Sequence, residues 1–540
     1  MPSLNPSPKP SASAFVTLDR VAAHTPDGQT LFDNLSLAFG RERTGVVGRN
    51  GVGKTTLLRL IAGLAEPAKG VVSRTGAVGW LPQHLEPAAT ETVADTLGVR
   101  SAFDRLGRIV AGSASAEDLD QADWSLEERL AKGLAEAGLD GLLLDRLIRT
   151  LSGGEQTRLR LAGLMLGDAD LLVLDEPTNH LDAEGRGLVA SMIARWSGGV
   201  VVVSHDRDLL RRMDRIVELS SLGVAVHGGG YDLYAERKAA ESAAADRALS
   251  DARRALDRVE RDAQARVEAK SRRDAAGRRH GQSGSMPRIV AGMMADRAQD
   301  SGGRGRALSQ RLAADAQATL ADAQARVERV HALAVAMPST GLPQGRRVLS
   351  LDRVEWRPGG RAVVGSVSLS VVGPERIAVT GPNGSGKTSL LRLMSGDLVP
   401  TAGRVVREVP AVLLDQQLTV LSPHETLIAA YRRLNPDATP NEAHAALARF
   451  LFRNTAAERM VGTLSGGERL RAALACVMGA AQPPQLLILD EPSNHLDLGS
   501  LAAVEDALAA YDGALIVVSH DEDFLKAIGV ERRLELKPSG

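Results

Sequence analysis

The chain has 540 residues, 44% apolar and 24% charged, which predicts a globular protein of two or more domains with cores of their own. Its 65 basic and 66 acidic side chains nearly cancel, so net charge gives the whole surface no reason to seek nucleic acid or acidic lipid, and any basic surface has to be local. A single cysteine, Cys476, excludes a disulfide framework within the chain, and no apolar run approaches the roughly 20 residues needed to cross a bilayer.

Residues 1–13, rich in Pro and Ser, predict a disordered tail without the apolar core of a secretory signal. Residues 14–234 predict a first α/β domain. In it, Gly45-Val46-Val47 reads as a strand, the stretch around Leu57-Leu58-Arg59-Leu60 as a helix, and Gly48, Arg49, Asn50, Gly51, Val52, Gly53, Lys54 and Thr55 as the turn between them. The spacing G-x-x-x-x-G-K-[ST] lets backbone amides close around phosphates at a helix N-terminus, with Thr56 next in line. Lys54 is expected to reach the β- and γ-phosphates of ATP and Thr55 to ligate magnesium.

Gln83 follows a short strand and is a candidate for placing magnesium or water. A short helical insertion is predicted at about 84–150, followed by the run Leu151, Ser152, Gly153, Gly154 and Glu155. The continuous apolar run Leu171–Leu174 suits a strand buried on both faces of a parallel sheet. It ends in Asp175, a magnesium ligand by expectation, and Glu176, which would orient and polarise the attacking water. His205, after the strand Val200–Val203, is placed to contact a terminal phosphate or the water.

Residues 235–346 read differently. Apolar side chains recur every three or four positions from Leu249 to Val267 and again from Leu308 to Ala334, predicting two amphipathic helices. An Arg-, Gly- and Ser-rich turn between them, about Ala275 to Arg306, predicts an antiparallel hairpin, with the first helix roughly 50 Å long. The segment carries 21 basic and 14 acidic residues, and the whole excess lies between Arg266 and Arg311. Arg272, Arg273, Arg278, Arg279, Arg288, Arg304 and Arg306 suit phosphate pairing, and with no aromatic residue to stack on bases the tip points to a structured RNA backbone. Met286, Ile289, Val290, Met293 and Met294 add an adaptable apolar patch.

Residues 347–540 repeat the first domain. Gly381, Pro382, Asn383, Gly384, Ser385, Gly386, Lys387 and Thr388, with Ser389 after them, lie 333 positions beyond their first copy, as does Gln416. The run Leu464, Ser465, Gly466, Gly467 and Glu468 lies 313 beyond its counterpart, so 20 extra residues sit in the first copy between Gln83 and Ser152. Asp490, Glu491 and His520 lie 315 beyond Asp175, Glu176 and His205 and take the same expected roles. Thr388, Gln416 and Asp490 complete the second magnesium set.

The Leu-Ser-Gly-Gly-Glu runs between a phosphate loop and Asp-Glu-Pro resemble the ATP-binding cassette superfamily. The resemblance implies two P-loop domains in which the Ser-Gly-Gly of one closes over the nucleotide held by the other. Ser465, Gly466 and Gly467 would then complete the site at Lys54, and Ser152, Gly153 and Gly154 the site at Lys387. It also implies an adenine-stacking aromatic residue, for which Trp356 stands in the second copy while the first offers His24.

Two cassettes in one chain, the Glu-Pro-Thr/Ser-Asn-His-Leu-Asp run after each acidic strand end and a long helical linker resemble the ABC-F branch. That likeness implies a cytoplasmic, monomeric ATPase that binds the ribosome, its linker reaching toward P-site tRNA and the peptidyl-transferase centre, and acting in translation or antibiotic protection. The long linker favours protection. The competing expectations are the ATPase of a drug exporter with a separate membrane subunit, for which the basic hairpin has no evident use, and a DNA-associated ATPase.

Overall fold

The computed structural model describes residues 14–83, 86–220, 223–281, 310–324, 337–494 and 496–537. They fall into two compact units. One takes in the chain up to Tyr231 together with everything from His331 onward, and the other is Asp232–Val330.

The first unit holds both copies of the repeat. In the first copy a six-stranded sheet runs in the spatial order Val78–Leu81, Leu171–Asp175, Gly199–Val203, Arg43–Gly48, Arg215–Ser220 and Gly223–Gly228. All neighbours are parallel except the last pair. The continuous apolar runs read from the sequence are these central strands: all five residues of Leu171–Asp175 and of Gly199–Val203 are buried. Helices cover both faces, so no residue of such a strand has a solvent side, and each buried Leu or Val contributes roughly 1.5–3 kcal/mol.

A three-stranded antiparallel sheet of Thr30–Phe39, Val16–His24 and Lys69–Arg74 packs beside it. Between the two sheets lies the phosphate-loop helix Lys54–Ile61, which buries Leu57, Leu58, Leu60 and Ile61 in one core with Phe39, Val46 and Val173.

The second copy repeats this plan with five parallel strands, ordered Ala411–Leu414, Leu486–Asp490, Ala514–Val518, Arg376–Thr380 and Arg532–Glu535. Its antiparallel sheet is Val364–Val372, Arg347–Trp356 and Ala402–Arg407. Cys476 is buried in the helix Gly466–Met478, as its apolar surroundings predict. The insertion in the first copy is helical at Val93–Thr96, Arg100–Val110, Ala116–Asp120 and Leu126–Glu136.

The second unit contains the helix Tyr231–Gly281, 51 residues long, and a helical stretch at 310–324. At 1.5 Å per residue the first spans about 75 Å, well beyond the expected 50 Å. It starts before the apolar repeat does and runs past Ala275, where the sequence predicts a turn, because the Arg and Ala residues there are good helix formers. Ala252 and Ala323, one on each stretch, are buried, in keeping with small-residue packing. Arg272 is exposed. The backbone at Arg273, Arg278 and Arg279 is helical, whereas Arg288, Arg304, Arg306 and the apolar patch from Met286 to Met294 lie outside the described residues.

Candidate active sites

Each phosphate loop is shaped by glycine. Gly53, which opens the helix Lys54–Ile61, has φ 103°, and Gly386, which opens Lys387–Ser395, has φ 88°. A Cβ on Gly386 would lie 2.4 Å from the carbonyl oxygen of Val363, so no other residue fits there without moving the backbone. The amide of Val363 in turn donates to the carbonyl of Trp356, 3.0 Å away. Trp356 itself is half-buried against the neighbouring core.

Lys54 Nζ rests on the carbonyl oxygens of Gly48 at 2.7 Å and Arg49 at 3.2 Å and on Asn50 Oδ1 at 3.4 Å. Lys387 Nζ does the same with Gly381 at 2.8 Å and Pro382 at 3.0 Å. Burial lowers the pKa of both ammonium groups, opposed by the carboxylates around them. Thr55 Oγ1 donates to Asp175 Oδ2 at 2.8 Å, and Thr388 bonds Asp490 in the equivalent place.

A cavity of about 520 Å³ opens at the first loop. Its walls include Asn50, Gly51, Gly53, Lys54, Thr55 and Thr56, together with Gln83, Asp175, Glu176 and His205. The far wall is Ser465 and Gly466 of the other cassette, and His24 and Pro26 stand at the mouth. Gly467 lies one step back, packed on Leu496 and Ser500. Gln416 lines a separate cavity of about 580 Å³ with Asp490, Glu491 and Gly466, all within the second cassette.

The serines also shape their own helices. Ser152 caps the helix Gly153–Leu166 and Ser465 the helix Gly466–Met478, each accepting from the amide three residues on, while Glu155 and Glu468 reach back to close capping boxes. The cap uses a lone pair, so each hydroxyl proton is still available to a phosphate oxygen.

Among the contacts that join the cassettes is a pair of aspartates that motif reading passed over. Asp497 Oδ2 accepts from the amide of Asn50 at 2.9 Å, and Asp182 Oδ2 from that of Asn383 at 3.1 Å. Asn383 Nδ2 also donates to the His180 carbonyl at 3.1 Å. Each cassette thus hands a carboxylate to the other's phosphate loop. Burial works against the charge of both aspartates, yet these amide bonds and those from their own helix starts hold their pKa values below the ordinary range. The repeat of Leu-Asp at each run's end was the available signal.

Glu176 and Glu491 leave their strands at φ 50° and 48°, a left-handed turn that few non-glycine residues adopt. Burial pushes the Glu176 carboxyl up to about 8, with Asp175 adding to it and the Lys54 cation opposing. Burial and the same cation push His205 down to about 3, and its Nε2 lies 3.2 Å from Glu176 Oε1. His520 is pushed down to about 4 by burial and then by Lys387 and Arg186. Its Nε2 is 4.0 Å from Glu491 Oε1.

Buried donors at the second loop are short of acceptors: neither Ser385 Oγ nor His520 Nε2 has a hydrogen-bond partner among the described residues. With Lys387 and the loop amides they make a surround that fits a polyphosphate.

The ABC transporter family model matches residues 32–179 and 364–494, together just over half the chain. The tylosin resistance ATP-binding protein TlrC of Streptomyces fradiae is 34% identical over 531 residues, which cover 92% of each chain. The energy-dependent translational throttle protein EttA of Mycobacterium tuberculosis is 31% identical over 533 residues, 92% of this chain and 87% of that one. The chain belongs to the ABC-F family.

An ABC-F protein of this kind is an ATPase whose cassettes bind nucleotide. Solved structures agree on the fold. The RNase-L inhibitor aligns over 97% of this ABC-F chain with a TM-score of 0.59 at 19% identity, and the archaeal recycling factor aABCE1 over 96% with 0.57 at 17%. Among the described residues of this ABC-F chain no helix is long and apolar enough to cross a membrane. Nor does any cluster of three His, Cys, Asp or Glu stand ready to hold a metal alone. Magnesium keeps several waters and takes one or two protein ligands beside phosphate oxygens, so Thr55 with Asp175, and Thr388 with Asp490, are a fitting donor set.

Proposed function

We propose that this ABC-F ATPase works as a monomer in the cytoplasm, binds the ribosome in its ATP-closed form and protects it from an inhibitor of translation. The carrying observation is the end-to-end likeness to a tylosin resistance protein, 92% of each chain at 34% identity. The 51-residue helix that leads out of the first cassette supports it, since a lever of this length suits a role at a distance from the nucleotide. In this reading the linker reaches toward P-site tRNA and the peptidyl-transferase centre, with Arg272 and the arginines after it pairing with RNA phosphates.

The chemistry follows from the chain's own groups. Lys54 and the amides of residues 50–55 hold the phosphates of ATP, and Thr55 and Asp175 hold magnesium, which supplies Lewis-acid charge stabilisation when bound. Glu176, whose carboxyl is pushed up to about 8, has a basicity matched to taking a proton from water near neutral pH. His205 keeps that carboxylate aimed and offers its other face to the terminal phosphate. Ser465 and Gly466 close the site from the opposite cassette, so contacts to the γ-phosphate from both halves exist only in the closed form. Lys387, Thr388, Asp490, Glu491, His520 and the Ser152-Gly153-Gly154 turn take the corresponding parts at the second site. His24 and Trp356 take the adenine, and Gln83 and Gln416 the metal's water shell.

The test is co-sedimentation of the Glu176→Gln, Glu491→Gln protein with 70S ribosomes, with and without ATP, against a Lys54→Ala, Lys387→Ala control. ATP-dependent retention of the first and none of the second is expected, with hydrolysis down by roughly 10²- to 10⁴-fold. Retention that ignores ATP, or none, rejects ribosome binding by the closed form. Undiminished hydrolysis rejects the glutamate roles.

A further inference from the structure

The two catalytic glutamates are not held alike. Glu491 Oε2 accepts from Asn494 Nδ2 at 2.5 Å, and the amide of Asn494 donates to the Glu491 carbonyl at 3.2 Å. At the first site Asn179 makes the same backbone bond to Glu176, also 3.2 Å. Among the described residues, however, its side chain makes no bond to the Glu176 carboxyl. Glu176 instead meets His205 at 3.2 Å, closer than the 4.0 Å between Glu491 and His520.

The difference traces to one residue across the interface. Arg186, on the first-cassette helix Ala183–Arg195, sends Nη2 to Asn494 Oδ1 at 3.5 Å while its Nε donates to the Leu181 carbonyl at 3.2 Å. A guanidinium only donates, so it fixes which end of the Asn494 amide faces it. The oxygen turns to Arg186 and the NH₂ is left for Glu491. In the repeat, 315 residues on, Arg186 corresponds to Leu501, which is buried and has nothing to donate to Asn179. The relay therefore exists in one direction only.

We propose that Arg186 is a positioning residue acting in trans: through Asn494 it sets the orientation of Glu491, so hydrolysis at the second site depends on a first-cassette side chain for which the first site has no equivalent. This rests on the reading of Glu176 and Glu491 as the hydrolytic carboxylates.

Single-site proteins test it. Glu176→Gln leaves the second site to turn over and Glu491→Gln the first, and each is combined with Arg186→Leu, the residue its repeat carries, or Arg186→Lys. Steady-state phosphate release should show Arg186→Leu lowering kcat about tenfold in the Glu176→Gln protein, with KM within about twofold. The loss in the Glu491→Gln protein should be at least about fivefold smaller, and Arg186→Lys should restore most of the rate. Asn494→Ala in the Glu176→Gln protein should reproduce the loss, and adding Arg186→Leu to it should cost nothing more. Equal losses in both backgrounds, a rise in KM with kcat kept, or additive effects of Asn494→Ala and Arg186→Leu would each overturn the assignment, as would no loss at all. If the Glu176→Gln, Glu491→Gln protein still hydrolyses ATP, the reading of the glutamates fails instead, whatever Arg186 does.

Discussion

The first and second cassettes share loop, signature and acidic strand end almost letter for letter, yet the surfaces they press together are unlike. Arg207, two residues after His205, forms a 2.9 Å ion pair with Glu505 of the second cassette, both about nine-tenths buried. Arg211 reaches Asp523 at 2.6 Å. The repeat positions that mirror Arg207 and Glu505 are Glu522 and Ala190, and Glu522 pairs with its own cassette's Arg533 on the exposed surface. The two copies therefore share their motifs while the rest of the contact diverges, so two sites with one set of motifs have different neighbours.

Breaking that asymmetry should cost most at Arg207. Arg207→Ala leaves Glu505 buried without its partner and is expected to destabilise the closed pairing by about 3–5 kcal/mol. Glu522→Ala should cost under about 1 kcal/mol. Thermal melts of the two variants, with the Arg207→Ala, Glu505→Ala double mutant to remove the stranded charge, check both.

The composite nature of the first site is sharpened by charge. Ser465→Glu puts a carboxylate into the wall facing Lys54 and should lower turnover in the Glu491→Gln protein by about 100-fold, comparable to loss of an anion-stabilising donor. Ser152→Glu in the same background should cost far less, and phosphate release separates the two.

A smaller difference is expected between the loops themselves. Gly386→Ala meets the Val363 carbonyl oxygen at 2.4 Å, whereas Gly53→Ala meets only the side chains of Leu31 and Phe32, at 3.2 and 3.3 Å. Both pay about 1–2 kcal/mol for the left-handed backbone, and Gly386→Ala should melt lower by about 1–2 kcal/mol more.

The last difference is a pH slope. A carboxyl raised to about 8 in the folded protein binds its proton more tightly there than in the unfolded chain. Its contribution to stability is therefore present at low pH and lost as pH rises from the unfolded value near 4.3 towards 8. Glu176→Gln removes that loss, so nucleotide-free melts should show its advantage over the parent growing by up to about 1.4 kcal/mol per pH unit in that window.

The central strands, the loops and the two acidic strand ends could be read from the sequence because each is a contiguous pattern whose physics is local. Leu171–Leu174 is apolar throughout because both faces of the strand are covered. The bonds that assemble the sites could not, because Asp497 to Asn50 spans 447 positions and Arg186 to Asn494 spans 308, and nothing in either segment names its partner before the cassettes dock. Ser152 and Ser465 stand out in the sequence through the repeated Leu-Ser-Gly-Gly-Glu run, and their capping role was implicit in the glutamate three positions later. The long helix was underestimated because apolar spacing marks only the part of a helix that packs, not the polar turns of good helix formers on either side.

The cavity at Lys54 takes its near wall from residues around 50 and its far wall from Ser465 and Gly466. A chain made from its N-terminus therefore completes its first phosphate loop early and cannot enclose that site until more than four-fifths of its length has been synthesised. The order of assembly leaves this cavity open in the half-built chain, because the wall of Ser465 and Gly466 is added only when the second cassette has emerged and docked.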